Sequence, residues 1–300
     1  MGKIYIMTDS NSGITQSEGK ELGIGVVPMP FTINGEEYLE DINLTQEEFY
    51  NFLKDDTAEV STSQPSIAYV EELWTEALSN YDSIIYIPMS SGLSKSCETA
   101  VVDSKKPEFL DKVFVVDNKR ISITQRQSVC DAIELRDLGY TAKEIHDILI
   151  EMMSNSDIYI TLNTLKYLKK GGRITPAAAA LGTMLKLKPI LTIEGDKLDK
   201  FKMRNRTLEN AMEIMMDAIS DNINGYLKDI DNRTDNIRIA IAYSGTDTTM
   251  PLKYREMVKE RFNVADVLIN PLSLSVSCHI SDGALAIAVC KNILDKYKTR

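Results

Sequence analysis

Short apolar runs rich in isoleucine and valine alternate with helix-forming stretches in the first half of the chain, and this alternation restricts the fold more than any other feature. The predicted strands are residues 3–7, 25–28, 83–87 and 113–116, and the predicted helices are residues 64–80, 124–138 and 141–153. Strands separated by helices are typical of a parallel sheet covered by helices. We therefore predict an N-terminal α/β domain over residues 1–156.

The pattern changes after Ser154-Asn155-Ser156. The later predicted strands are residues 158–161, 189–193, 237–243 and 267–270, and the later predicted helices are residues 207–222, 250–262 and 282–296. A chain of 300 residues exceeds the usual size of one domain. We therefore predict a second α/β domain over residues 157–300.

Composition excludes several classes of function. The net charge of −10 argues against general nucleic-acid binding. No apolar run approaches the roughly eighteen residues of a membrane span, so we expect no integral membrane segment. The start of the chain is typical of a strand rather than a signal peptide. The four cysteines show no close pairing motif, which favours reduced thiols in a cytoplasmic protein and argues against a zinc site.

Positive charge is concentrated in one segment. Between Lys166 and Arg206 there are eleven lysines or arginines against three acidic residues. Such a segment on an acidic protein could contact an anionic ligand or an acidic partner. The alternative is that these side chains are simply exposed to solvent on helix and strand faces and bind no partner.

Two hydroxyl-rich turns are the main candidates for a binding site, Thr62-Ser63-Gln64-Pro65-Ser66 and Ser90-Ser91-Gly92-Leu93-Ser94. The second turn follows an apolar run and precedes a helical pattern, which is where an α/β sheet usually binds its ligand. Pro65 predicts a first helical turn, with Thr62 and Ser63 in the loop before it. Neutral hydroxyls, together with His279 in a later hydroxyl-rich stretch, favour a carboxylate or phosphate site over a metal centre.

Several motifs together resemble the DegV family of bacterial fatty-acid-binding proteins, which includes the lipid-carrying subunits of fatty acid kinase. The resemblance covers essentially the full length and rests on Thr8-Asp9-Ser10, Thr62 to Ser66, Ser91 to Ser94, Val115-Val116-Asp117, Leu168 to Ile174, Lys188 to Leu191 with Gly195, Arg204, and His279 with Gly283 and Ala284. Each motif alone is weak, but their order and spacing are specific.

The resemblance implies a two-domain fold: an N-terminal Rossmann-like three-layer domain with a parallel sheet and a C-terminal α/β domain with a mixed sheet. One long-chain fatty acid would lie in an apolar tunnel between them. Thr62, Ser94 and His279 correspond to the carboxylate-binding residues. Ser63, Ser91 and Gly92 would support the turns.

The resemblance also implies a possible partner, a separate fatty acid kinase subunit that phosphorylates the bound carboxylate for phospholipid synthesis. Lys170, Arg173 and Arg204 match the region expected to meet it. No cofactor is implied, and the protein itself would be a non-catalytic carrier. The sequence departs from the family pattern at Lys95, at Ser122 to Arg126, and at Ser281-Asp282.

Three alternatives remain at the level of the sequence. Ser91 or Ser94 could form a hydrolase triad with His279 and either Asp9 or Asp117, although no Gly-x-Ser-x-Gly elbow is present. A substrate-binding subunit of the dihydroxyacetone kinase type would use histidine to hold a triose. A plain scaffold protein would bind no ligand.

Overall fold

The computed structural model describes residues 2–55, 57–180, 187–194, 197–202, 207–225, 236–293 and 295–298. Its strands are β1 Ile4–Asp9, β2 Gly25–Val27, β3 Pro30–Ile33, β4 Glu36–Leu39, β5 Val60–Thr62, β6 Ser83–Ile87, β7 Val113–Val115, β8 Ser156–Thr161, β9 Ile190–Glu194, β10 Lys197–Lys202, β11 Ile237–Tyr243, β12 Leu268–Pro271 and β13 Leu285–Lys291. Its helices are α1 Gln16–Leu22, α2 Gln46–Phe52, α3 Ile67–Leu78, α4 Lys95–Asp103, α5 Ser122–Asp137, α6 Ala142–Glu151, α7 Lys166–Gly171, α8 Pro176–Ala180, α9 Leu208–Asn224, α10 Thr249–Phe262, α11 Leu274–Ile280 and α12 Asp295–Lys298.

The first sheet is parallel throughout and has the order β2-β1-β6-β7. Apolar side chains cover both of its faces. On one face Trp74 of α3 packs with Tyr86 and Phe109. On the other face the strands contact the buried sides of α5 and α6, including Leu135 and Ile145. Helices on both faces of a parallel sheet give the three-layer arrangement that the sequence predicts.

A small antiparallel sheet, β4-β3-β5, was not predicted. Its strands are only three or four residues long, too short to show a clear alternating pattern. Phe31 of β3 pairs with Thr62 of β5 and packs edge-on against Phe49 of α2. This packing fixes the position of Thr62.

The third sheet is mixed, with the order β10-β9-β8-β13-β11-β12. Only the β11–β12 pair is parallel. The helix predicted over residues 282–296 is wrong, because Leu285–Lys291 forms the central strand β13. Six of its seven residues are buried. A strand that is covered on both faces has a continuous apolar sequence, and hydrophobic periodicity cannot distinguish such a sequence from a buried helix.

The expected loop and helix start around Pro65 also need correction. Thr62 lies at the end of β5, and α3 begins only at Ile67. Ser66 is its N-cap, because its side chain accepts a hydrogen bond from Tyr69 N at 3.2 Å. The capping hydroxyl, rather than the proline, sets where this helix starts.

The α/β class with one parallel and one mixed sheet is confirmed. The chain enters the mixed sheet at β8, whose first residue is Ser156. The division into domains at residues 1–156 and 157–300 stays a prediction. No helix in the described residues is long and apolar enough to cross a membrane.

Candidate functional site

A cavity of about 320 Å³ lies beyond the carboxyl ends of β1 and β6, between the parallel and mixed sheets. This volume falls within the usual range for small-molecule sites. Most of its wall is apolar and comes from the turns after β2 and β6, from β8, β9 and β13, and from α7 and α11. The apolar lining residues are Met29, Met89, Leu93, Ile121, Ile158, Ile160, Leu168, Ile193, Leu198, Leu272, Val276, Ile280 and Ala286.

Thr62 and His279 meet at this cavity although 217 positions separate them in sequence. Thr62 Oγ1 and His279 Nε2 are 2.9 Å apart and share a hydrogen bond. Burial, reinforced by the positive charge of Arg173, lowers the pKa of His279 to about 4. The imidazole is therefore neutral near pH 7 and takes part in the site as a hydrogen-bonding group rather than as a cation.

Ser94 lines the same cavity at the N-terminus of α4. Its Oγ accepts a hydrogen bond from Ser96 N at 3.2 Å and lies 2.9 Å from Ser96 Oγ. The α4 N-terminus adds a partial positive charge beside this hydroxyl. The structure thus brings Thr62, Ser94 and His279 to one cavity, with donors suited to an oxygen acceptor.

The residues predicted to support the turns occupy different positions. Ser63 lines the cavity and is exposed. Ser91 N donates to Asp117 Oδ1 at 3.2 Å, and Lys119 Nζ donates to Ser91 Oγ. Gly92 N donates to Ser90 Oγ at 3.2 Å. Ser91 and Gly92 therefore hold the turn in shape without lining the cavity.

Of the three residues predicted for partner docking, the structure describes Lys170 and Arg173. Arg173 lines the cavity, where its Nε donates to Leu93 O at 3.3 Å and its Nη1 donates to Gly171 O. Lys170 is exposed on α7. Arg204 lies outside the described residues. The docking role stays a prediction, and Arg173 has in addition an electrostatic effect on His279.

Sequence reasoning did not assign Asn11, Ser122 and Ser275, three buried polar residues that line the cavity. Asn11 follows β1 in a short 3₁₀ turn, Ser122 begins α5, and Ser275 belongs to α11. The hydroxyl-rich stretch from Ser273 to Ser281 was a usable signal for Ser275. Nothing local in the sequence indicates that Asn11 faces the same cavity.

A hydrolase triad is not assembled from the residues considered for it. Asp9 accepts hydrogen bonds from Asn11 N, Met89 N and Gln125 Nε2, and burial raises its pKa. Asp117 bonds to the turn at Ser91. Neither carboxylate contacts His279, whose Nε2 faces Thr62. In the part of the chain that the structure describes, no group of three or more His, Cys, Asp or Glu residues is placed to hold a metal ion.

Comparison with known proteins places this architecture in a family. The sequence model described as "Uncharacterised protein, DegV family" matches residues 3–292. The chain belongs to the DegV family. A DegV domain-containing protein of Staphylococcus aureus is 28% identical over 291 residues, covering 97% of this chain and 100% of that protein. A second protein from the same species is 31% identical over 224 residues, covering 73% of this chain and 77% of that protein.

Solved structures of DegV proteins have the same fold. The structure titled "Fatty Acid Binding of a DegV family Protein from Thermus thermophilus" superposes with a TM-score of 0.85 at 27% identity, covering 96% of this chain and 99% of that one. The DegV protein of Bacillus subtilis superposes with a TM-score of 0.84 at 24% identity, covering 97% of this chain and 100% of that one. At that identity the Bacillus structure supports the fold alone.

Proposed function

We propose that this protein binds one long-chain fatty acid, with the acyl chain in the apolar cavity and the carboxylate at Thr62, Ser94 and His279. The observation that carries the proposal is the pairing of an apolar cavity with a cluster of neutral donors. The Thermus thermophilus relative, which is described as fatty acid binding, supports the same ligand class.

The chemistry of the two parts fits an amphipathic ligand. Burying an acyl chain releases about 0.8 kcal/mol per methylene, so a long chain supplies most of the binding free energy, part of which offsets the cost of immobilising the ligand. A carboxylate leaving water needs hydrogen-bond donors. The hydroxyls of Thr62 and Ser94 and the neutral imidazole provide them, and the Arg173 guanidinium at the same cavity adds a favourable positive charge.

A double variant, Thr62→Val with Ser94→Ala, tests the carboxylate site. Valine preserves the shape and strand preference of Thr62 while removing its hydroxyl. We expect palmitate affinity, measured by calorimetry on lipid-free protein, to fall at least about tenfold, because hydrogen bonds to a charged group are lost.

Ser94 also caps a helix, so the variant needs a control for lost stability. Ser66→Ala removes the N-cap of α3, and Ser66 does not line the cavity. It should lower stability by about 1 kcal/mol and leave palmitate affinity unchanged. Unchanged affinity in the double variant would contradict the assignment of the carboxylate site.

We extend the proposal to presentation of the bound carboxylate to a separate fatty acid kinase subunit, which would form an acyl phosphate for phospholipid synthesis. The exposed side chains of Ser63, Gln64 and Lys95 at the cavity support this, because they place its hydroxyl-rich end near solvent. Lys170→Ala should reduce acyl phosphate formation by a purified kinase subunit without changing palmitate affinity. Lys105→Ala, an exposed lysine that does not line the cavity, is the control, and equal rates for both variants would refute a docking role for Lys170.

A further inference from the structure

Ser122 presents to the cavity a hydroxyl that no described residue satisfies. Its side chain lines the cavity, the residue is only 2% exposed, and Oγ has no hydrogen-bond partner in the described part of the chain. The backbone of Ser122 has φ = 55°, in the left-handed region that serine seldom adopts. A strained residue with an unsatisfied buried donor is uncommon in a native core, and such features concentrate at binding sites.

Asn11 contributes a second unsatisfied polar atom to the same cavity. It is 1% exposed, and its Oδ1 accepts hydrogen bonds from Ser273 Oγ at 3.3 Å and from Ser275 Oγ. Its Nδ2 has no acceptor within ordinary hydrogen-bond distance in the described residues, although it lies close enough to the Asp9 carboxyl to act as a donor that lowers the pKa of that group. Leaving a polar atom buried and unpaired costs roughly 1–3 kcal/mol, so Ser122 Oγ is expected to bond to a group in the cavity. Asn11 Nδ2 carries two N–H donors, and one of them remains for such a group even if the other is directed at Asp9.

These atoms belong to a deeper part of the cavity than the proposed carboxylate site. Ser63, Gln64 and Lys95 are exposed, and Thr62 and Ser94 are half-buried. Asn11, Ser122 and Ser275 are almost completely buried. Ser275 precedes His279 by one turn of α11, a separation of about 6 Å along the helix axis. A fatty acid held by its carboxylate would therefore pass its methylenes near these donors.

A methylene chain offers nothing to these polar atoms, whereas a hydroxyl group both accepts and donates hydrogen bonds. The N-terminus of the 16-residue helix α5, at Ser122, adds a partial positive charge that favours an oxygen acceptor. We infer that the deep end of the cavity, at Asn11 and Ser122, is a subsite for a hydroxyl group carried on the acyl chain, so that the preferred ligand is a hydroxylated long-chain fatty acid. This inference rests on the proposed fatty-acid binding and specifies its ligand class.

The test compares stearate with a series of hydroxystearates that carry the hydroxyl at successive internal carbons. Dissociation constants are measured by calorimetry on lipid-free wild-type protein, Ser122→Ala and Ser122→Gly. Glycine tolerates the left-handed backbone, so the second variant removes the hydroxyl without strain. Ser128→Ala is the control, because Ser128 is a buried serine on the same helix that bonds to Asn118 and Arg120 and does not line the cavity.

We expect at least one hydroxystearate to bind wild-type protein about tenfold more tightly than stearate. Both Ser122 variants should lose that preference, measured as the ratio of the dissociation constants of stearate and the preferred isomer for the same protein, and Ser128→Ala should retain it. The inference is overturned if wild type binds stearate at least as tightly as every isomer, as expected when water satisfies these donors. It is also overturned if the preference survives in both Ser122 variants. Failure of wild type to bind stearate and every isomer would instead overturn the proposed fatty-acid binding itself.

Discussion

At the scale of single residues, the position of the His279 ring depends on the absence of a side chain at Gly171. A Cβ atom at Gly171 would lie 2.3 Å from His279 Nδ1 and 2.8 Å from Cε1. The ring therefore rests against the end of α7 on one side and bonds to Thr62 on the other. This close approach fixes the direction of Nε2 and, with it, the geometry of the proposed carboxylate site.

Gly171→Ala should displace the imidazole and break its hydrogen bond to Thr62. An alanine in a helix ordinarily stabilises it by about 1 kcal/mol relative to glycine, so a loss of function here would not be a helix effect. We expect palmitate affinity to fall several-fold, and the His279 ring resonances to shift in NMR spectra of the variant.

The neighbouring glycine provides the control. Gly172 has φ = 70°, and a Cβ there would meet no atom within 4 Å. Gly172→Ala should therefore lower the free energy of unfolding by about 1 kcal/mol through backbone strain and leave the affinity for palmitate unchanged. Equal palmitate affinities in wild type and Gly171→Ala would contradict the role assigned to the His279 ring.

Hydroxyl-rich turns next to strand ends carry a local signal that pointed to the region of the site, and the resemblance to the DegV family nominated Thr62, Ser94 and His279 within it. They did not reveal that Thr62 bonds to His279, since that contact joins distant segments through β5 and α11. Ser122 was noted as a departure from the family pattern, but its unsatisfied hydroxyl depends on tertiary packing. The apolar lining from β8, β9 and β13 has no local signal that separates it from ordinary core.

At the scale of elements, α11 connects the parts of the site. Ser273 caps this helix through Val276 N at 3.3 Å and also donates to Asn11 Oδ1, so the helix is anchored to the turn after β1. Tyr50 of α2 and Ser277 of α11 share a hydrogen bond of 2.8 Å. The helix has only seven residues and four of them are serine, cysteine or histidine, so its pattern did not predict a helix.

A buried carboxyl at the start of α11 predicts a pH dependence of stability. Burial raises the pKa of Glu40 to about 8. The negative charge of Asp41 adds to this increase, and hydrogen bonds from Leu274 N and Gln46 only partly oppose it. Between about pH 4.5 and 8 the folded state keeps a proton that the unfolded chain has lost, so the free energy of unfolding falls as pH rises through this window. Glu40→Gln should remove this slope.

Denaturant titrations at pH 5 and pH 8 measure the effect. At each pH the free energy of unfolding of wild type is subtracted from that of Glu40→Gln. We expect this difference to be more positive at pH 8 than at pH 5, by on the order of a few kcal/mol. Glu37→Gln, which removes an exposed carboxyl on β4, controls for the loss of a negative charge in this region. The same pH dependence in wild type and Glu40→Gln would show that Glu40 is not the responsible group.

At the scale of the whole molecule, the cavity is built where a parallel sheet, a mixed sheet and the small β4-β3-β5 sheet meet. Alternation of strands and helices predicted the parallel sheet, because its buried strands leave a local signal, whereas the mixed sheet was expected from the family resemblance. The third sheet and the strand character of β13 depended on tertiary context. The proposed ligand would contact the small sheet, the mixed sheet and the turns that follow the strands of the parallel sheet, so its binding should stabilise the assembled fold by mass action.

Fatty-acid binding can be tested without any added ligand by mass spectrometry of the organic extract from freshly purified protein. We expect close to one long-chain fatty acid per chain, and the same measurement would show whether the acyl chain carries a hydroxyl group. The result that would contradict fatty-acid binding is an extract without fatty acid from a protein that also fails to take up added palmitate and hydroxystearate.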